Sequence, residues 1–204
     1  MHGRRLAHPV VVGVYATPEV YAAANGLGSA VPVGVTFVGR VNLSAKLFWP
    51  QHQRLPAILT HELSHVHIQG WIGETAYTLR LPNSFKEGLA VMVSDGAELV
   101  SEAEARAAIQ REEQIAIDDA GSLQNVVSIR FERAPAKTAS WYPVVLAYRQ
   151  AGMFVNYLRE SDGPAFNRMM NAILDGRAFA DAVTVGCHDD VRSLWQKFIK
   201  SSSP

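Results

Sequence analysis

Strand-forming residues are confined to the first part of this chain, and that segregation is the feature that most constrains its fold. β-Branched and aromatic side chains are concentrated in residues 10–16 and again in residues 33–43, whereas the later sequence has helical patterns. We interpret residues 10–16 as a buried strand and residues 33–43 as one or two strands at a sheet edge or in a tight hairpin. Strands followed by helices are typical of α+β proteins. The sequence therefore predicts an α+β fold in which a small N-terminal sheet packs on helices.

Start and stop signals place the helices along the chain. Thr17 followed by Pro18 indicates a helix start, and Gly70 is a natural stop for a helix over residues 57–69. Ser101 is a candidate N-cap for a helix over residues 101–117. Further helices are predicted from residue 82 through 93, at 143–160, from 162 to about 174, at 178–185 and at 189–200, with a loop at 118–140 that includes an extended segment at 126–131.

The composition does not favour a nucleic-acid partner, a disulfide or a membrane span. Lys and Arg together number 19, as do Asp and Glu, so the formal net charge is zero and nothing favours nucleic acid. The single cysteine, Cys187, excludes an intramolecular disulfide. No apolar run approaches the ~20 residues that a membrane span needs. We interpret residues 10–16 as a strand rather than an export signal and expect a cytoplasmic protein, with a trimmed signal as the alternative.

The motif His61-Glu62-Leu63-Ser64-His65 is the strongest functional signal. On a helix, residues four apart lie on one face, so the imidazoles of His61 and His65 can bind one cation, and zinc favours such nitrogen ligands. The carboxylate of Glu62 would lie beside the metal, where it can take a proton from the attacking water. The alternative is a purely structural role, with two core histidines beside a surface glutamate.

A catalytic zinc needs a third protein ligand and one open position, and Glu87 is the candidate. It lies near the start of a second predicted helix, where the adjacent Gly88 would allow close backbone approach. The competing interpretation is a capping box formed by Ser84 and Glu87, in which the Glu87 carboxylate bonds backbone. The histidine motif upstream favours the ligand role.

Together these segments resemble the gluzincin metallopeptidases. His61-Glu62-x-x-His65 paired with residues 81–90, Leu-Pro-Asn-Ser-Phe-Lys-Glu-Gly-Leu-Ala, is most similar to short bacterial proteins of the peptidase MA-like group, which are related to the catalytic domain of zinc aminopeptidases. Ser84 departs from the pattern, where the family usually has tryptophan. The resemblance implies a single zincin-like catalytic domain over residues 1–204, with an N-terminal lobe (1–75) carrying the active-site helix and a helical lobe (76–204) carrying the third ligand.

The same resemblance implies a mechanism and a substrate. One zinc ion held by His61, His65 and Glu87, with Glu62 as general base, would hydrolyse peptide bonds in peptides or proteins. Tyr148, in a segment similar to a later family helix, would stabilise the tetrahedral intermediate, with Tyr142 as second choice.

The strand segment is also a candidate for substrate binding. Residues 34–43 would be the edge strand that pairs with substrate backbone. The glutamate by which the related aminopeptidases hold a free amino group is missing from residues 33–43, which favours an endopeptidase or a peptidase of another mode and leaves the choice between endo- and exopeptidase open. The sequence leaves the oligomeric state open.

Two other interpretations compete with an active enzyme. One is a non-catalytic zinc-binding module that uses the cleft for regulation or protein recognition, and the other is a metal-free helical protein with a coincidental motif. We expect His67 to be a surface or core histidine rather than a ligand, and Trp71 to pack rather than line a substrate pocket. We name Asp95 and Glu98 as candidates for orienting the imidazole ligands.

Overall fold

The chain has an α+β fold, as predicted. A computed structural model describes residues 2–95, 100–117, 128–137 and 139–202. The strands within these ranges are β1 (Val11–Tyr15), β2 (Gly34–Phe37) and β3 (Arg40–Ser44). The α-helices within them are α1 (Pro18–Ala24), α2 (Leu55–Ile72), α3 (Glu74–Arg80), α4 (Asn83–Ser94), α5 (Glu102–Gln110), α6 (Tyr142–Ser161), α7 (Gly163–Leu174), α8 (Phe179–Cys187) and α9 (Val191–Ser201).

The three strands form one sheet in the order β1-β3-β2. β1 runs parallel to β3, and β2 runs antiparallel to β3. Val38 and Gly39 join β2 to β3 with φ values of 48° and 68°, and two consecutive positive φ values are what a tight hairpin turn requires. The predicted hairpin is therefore present. Residues 40–43 belong to the central strand, however, so the predicted edge strand is correct for β2 alone.

The first strand is not buried, contrary to the prediction. The side chains of Val11, Val12 and Val14 are 54%, 43% and 52% exposed. β1 is an outer strand of the sheet, and the short helix α1 that follows it contacts the strand without covering these valines. A run of β-branched residues indicates a strand but does not by itself indicate what covers its faces.

Several helix ends differ from the prediction. Helix α2 continues through Gly70 to Ile72, and the residue after it is Gly73, whose φ of 82° is a conformation that favours glycine. Helix α5 has the predicted cap, with the Ser101 hydroxyl accepting from the Glu104 amide, but it ends at Gln110. Glu112 has a φ of 64° just beyond that end. The short helix α3 was not predicted, and residues 118–127 lie outside the described residues.

Helix α2 lies between two groups of buried apolar side chains. Val66 packs with Val41, Leu43 and Leu47 of the sheet region. Ile68, two residues further along α2, belongs to the larger core formed by the later helices. The helix that carries the histidine motif is thus held on both sides.

Helices α4 and α6 cross closely enough to require glycine. A Cβ atom at Gly88 would lie 2.7 Å from the carbonyl oxygen of Ala151, and one at Gly152 would lie 2.4 Å from Val91 Cγ1. Because Gly88 follows Glu87, this crossing fixes the part of α4 that carries the candidate third ligand.

Within the described ranges, no helix has the length and apolarity needed to cross a membrane.

Candidate metal centre

Helices α2 and α4 bring the three predicted metal ligands together. His61 and His65 lie one turn apart on α2, and Nε2 of His61 and Nε2 of His65 are 3.2 Å and 3.7 Å from Oε2 of Glu87. The ligand atoms of the three residues all lie within 4.8 Å of one another. Two ligands bound about 2.1 Å from a tetrahedral zinc would lie roughly 3.4 Å apart. The three side chains therefore fit around one metal ion with small adjustments.

The capping role for Glu87 is not what the structure has. Helix α4 begins at Asn83, directly after Pro82, and no side chain caps its first turn. Ser84 is therefore already inside the helix, where it cannot act as the N-cap of a capping box. The Glu87 carboxylate points to the two imidazoles, with its side chain 14% exposed.

The charges of this cluster depend on one another. Burial alone would raise the pKa of Glu87, but the two imidazoles and Lys86 reverse the effect and lower it below the usual value. Burial lowers the pKa of His65 to about 4, although the Glu87 carboxylate opposes that shift. A neutral imidazole beside an ionised carboxylate is the protonation state that metal binding requires.

Glu62 lies on the sheet side of this cluster, against β2. Its Oε2 atom is 2.8 Å from the hydroxyl of Thr36, and its main-chain carbonyl oxygen is 3.0 Å from the same hydroxyl. Gly34 makes this approach possible, because a Cβ there would lie 2.5 Å from Ile58 Cγ2 and 3.1 Å from Glu62 Oε1. Burial raises the pKa of the Glu62 carboxyl, and the nearby His61 and the Thr36 hydroxyl partly oppose it.

Tyr148 faces the same cluster from α6. Its ring stacks on that of His61, with centroids 6.4 Å apart and planes 15° from parallel. The charge of Glu87 and burial both raise the pKa of the Tyr148 phenol, so it remains protonated and able to donate. The second choice, Tyr142, is fully buried at the start of α6 with the Lys137 ammonium 4.6 Å from its ring centre, outside the site.

Sequence reasoning missed Tyr77, which contacts the second imidazole. The Tyr77 hydroxyl is 2.7 Å from Nδ1 of His65. In the tautomer with the proton on Nδ1, His65 donates to this hydroxyl and Nε2 keeps its lone pair for a metal. Of the residues predicted for such a role, Asp95 ends α4 in a left-handed conformation and Glu98 lies outside the described residues.

His67 is a core histidine, one of the two predicted alternatives, and Trp71 packs on the N-terminal segment as predicted. His67 is buried on another face of α2, where Nε2 donates to the carbonyl oxygen of Arg4 over 3.0 Å. Trp71 donates from Nε1 to the carbonyl oxygen of Arg5 over 2.9 Å, and the Arg4 guanidinium lies 4.7 Å from its ring centre. Both side chains hold the segment before β1 against α2.

The cluster lies in the wall of a cleft of about 820 Å³. β2, α2, α4 and α6 all contribute to the walls. The residues that line it include Thr36, Ile58, His61, Glu62, His65, Tyr77, Glu87, Val144 and Tyr148. The position of the cluster in an open cleft gives a molecule from solution access to it.

Comparison with known proteins does not assign the chain to a family. No family model, curated protein or solved structure matches the chain. What the geometry itself establishes is a partly buried His61, His65 and Glu87 group that could hold a metal ion.

Proposed function

We propose that this chain is a zinc-dependent peptidase of the gluzincin type, with a zincin-like fold. The observation that carries the proposal is the convergence of His61, His65 and Glu87, with the carboxylate of Glu62 next to them in an open cleft. A structural metal site is usually closed by four protein ligands, whereas a catalytic site keeps one position open. Three protein donors in a cleft wall match the catalytic arrangement.

The donor set favours zinc over other common ions. Two imidazole nitrogens and one carboxylate oxygen suit zinc, whereas magnesium and calcium prefer oxygen ligands alone. When bound, zinc supplies a Lewis acid that polarises the scissile carbonyl and makes water a better nucleophile.

Glu62 would act as the general base. Its carboxylate takes a proton from the attacking water and later delivers it to the leaving amine. The Thr36 hydroxyl, 2.8 Å from Oε2, fixes the orientation of the carboxylate. A raised pKa suits a group that must both accept and return a proton near neutral pH, and burial supplies that shift.

Tyr148 would stabilise the negative charge that develops on the carbonyl oxygen. Its phenol is kept protonated by Glu87 and by burial, and it faces the cluster from the α6 side of the cleft. A hydrogen bond that strengthens as charge develops lowers the barrier of the chemical step.

The substrate backbone would pair with β2. Among the described strands, β2 pairs with β3 alone, and residues 33–36 line the cleft. An extended peptide can add to such an edge by main-chain hydrogen bonds, which hold the scissile bond without requiring particular side chains.

A set of three purified proteins tests the proposal. Wild type should contain about one zinc per chain and cleave casein or a quenched peptide library. Glu62→Gln should retain zinc and lose at least about 10²-fold in turnover, because the general base is gone. Glu87→Gln should lose zinc on dialysis against a chelator that wild type withstands.

Each competing interpretation has its own outcome. Equal turnover by wild type and Glu62→Gln would remove Glu62 from the mechanism. Bound zinc without turnover in wild type would favour a non-catalytic zinc-binding module. Less than ~0.3 zinc per chain after native purification would favour a metal-free protein.

A further inference from the structure

Bulky apolar side chains stay exposed on the walls of the cleft. Val31 is 88% exposed and Trp141 is 62% exposed, and both line the cleft. Leu27 and Val144, which are 62% and 53% exposed, line it as well. Large apolar groups gathered in a cleft next to a reactive centre are more typical of a ligand-binding surface than of ordinary protein surface.

Trp141 and Tyr148 lie on one face of the same helical segment. They are seven positions apart, which is close to two full turns, with Val144 and Val145 between them. Two turns of helix separate Trp141 from Tyr148 by about 10 Å along the axis. An extended peptide advances about 3.3 Å per residue, so this distance corresponds to about three substrate residues.

The charges of the cleft walls argue against an anchored free N-terminus. Among the described lining residues, the carboxylates are those of Glu62 and Glu87, and both lie beside the imidazoles. The other charged side chains in that set, Lys46, Arg54 and Lys86, are cationic. The α-ammonium of a peptide would meet like charge there, whereas the interior of a chain carries no such group.

We propose that the cleft accepts an extended segment from within a polypeptide, with a large apolar side chain packed on Trp141 about three residues from the cleaved bond. Trp141 is then a specificity-determining residue at the α6 side of the cleft. The inference rests on the proposed peptidase function and adds to it the class of substrate.

Cleavage-site profiling tests this assignment. Zinc-loaded wild type, Trp141→Ala and Trp49→Ala each digest a mixed peptide library, and mass spectrometry records which residues surround every cleaved bond. Trp49 is the matched control, since it is 79% exposed and lies outside the residues that line the cleft. Wild type should enrich Phe, Leu, Met or Trp two to four positions from the cleaved bond, on one side, in cuts within peptides.

The expected change is specific to one position. Trp141→Ala should reduce that enrichment about tenfold, because the apolar contact area of the indole is removed, and Trp49→Ala should keep it. The same profile in wild type and Trp141→Ala would overturn the role of Trp141 while leaving the peptidase function standing. Stepwise trimming from either end of the peptides would overturn the binding of an internal segment. A wild type that cleaves no peptide contradicts the peptidase function itself, and the inference falls with it.

Discussion

Tyr77 contacts the imidazole of His65 and Tyr148 contacts that of His61, and matched substitutions separate their roles. Tyr77→Phe should weaken zinc binding by about 10- to 100-fold, because Nδ1 of His65 loses the hydroxyl 2.7 Å away that fixes its tautomer. Tyr148→Phe should leave zinc affinity nearly unchanged and reduce kcat by about 10²-fold, since it removes a donor to the developing oxyanion. Zinc affinity is measured by competition with a chromophoric chelator, and kcat with a quenched peptide.

Each tyrosine variant is the control for the other. Both substitutions remove one hydroxyl from a buried or partly buried ring in the same cleft, so a general loosening of the fold would affect both alike. The visible spectrum of the cobalt-substituted proteins adds a direct check, since a reoriented His65 changes the coordination geometry. If Tyr148→Phe releases the metal while Tyr77→Phe retains it, the two roles are assigned the wrong way round.

Local spacing was enough to place some residues of the candidate site and not others. His61 and His65 are related by one helical turn, and Glu62 follows from the same turn, so their juxtaposition requires only that α2 is a helix. The contact between Tyr77 and His65 depends on the reversal at Gly73, whose φ of 82° ends α2 and returns the chain in α3. The sequence predicts a helix stop at Gly70 and no helix α3, so it gives Tyr77 no position near the site.

At the scale of the helices, the crossing of α4 and α6 controls where Glu87 lies. Gly88→Ala would place a methyl group 2.7 Å from the carbonyl oxygen of Ala151, which as backbone cannot move aside cheaply. We expect a loss of about 1–3 kcal/mol in the free energy of unfolding and weaker zinc binding, because α4 must shift away from α6. Urea unfolding of the apo protein and a zinc titration measure the two effects.

Gly163→Ala is the matched control for this change. Gly163 is the first residue of α7, a Cβ there would have no neighbour within 4 Å, and its φ is not in the left-handed region. Alanine at this position should be neutral or slightly stabilising, by up to about 0.5–1 kcal/mol, with unchanged zinc affinity. A Gly88→Ala protein as stable as Gly163→Ala would show that the crossing of α4 and α6 can accommodate a methyl group.

The presence of a helix was predictable where capping residues and hydrophobic periodicity agree. The predicted helix ends were wrong where tertiary contacts determine the end of the helix. The helix predicted from residue 162 is present as α7. Asp162 caps it, with Oδ1 accepting from the amide of Ala165, and that hydrogen bond involves neighbouring residues only. Helix α5 ends early because the chain after it is held by a distant helix. The fully buried Gln150 of α6 donates to the carbonyl oxygen of Glu113 and accepts from the amide of Ile115. No local signal reveals that contact.

For the molecule as a whole, the sequence predicted the fold class but not how the parts pack. The segregation of strand and helix patterns is a property of composition along the chain, and it held. The parallel pairing of β1 with β3 and the exposure of Val11 and Val14 depend on which element covers which face. That choice is made by tertiary packing, which periodicity in one segment does not encode.

A bound metal would join α2 to α4, so its removal should lower the free energy of unfolding of the whole chain. Zinc at 100 times its dissociation constant adds about 2.7 kcal/mol to the free energy of unfolding, which is about 5–10 °C in Tm for a chain of this size. Wild type should therefore melt at a lower temperature once a chelator stronger than the one that strips Glu87→Gln has removed its zinc, and the melting temperature should recover when zinc is returned. Glu87→Gln should show a smaller rise at the same zinc concentration, since one of its three ligands no longer carries charge.

Zinc bound at other histidines could mimic this stabilisation, and exposed residues provide the control. His8 and His52 are exposed and lie outside the cluster, so a double His8→Ala and His52→Ala variant should keep the full zinc-dependent rise in Tm. Loss of the rise in that variant would place the stabilising metal elsewhere on the chain. An equal rise in wild type and Glu87→Gln would separate Glu87 from the metal, because a ligand that joins two helices cannot be weakened without reducing the stability that the ion adds.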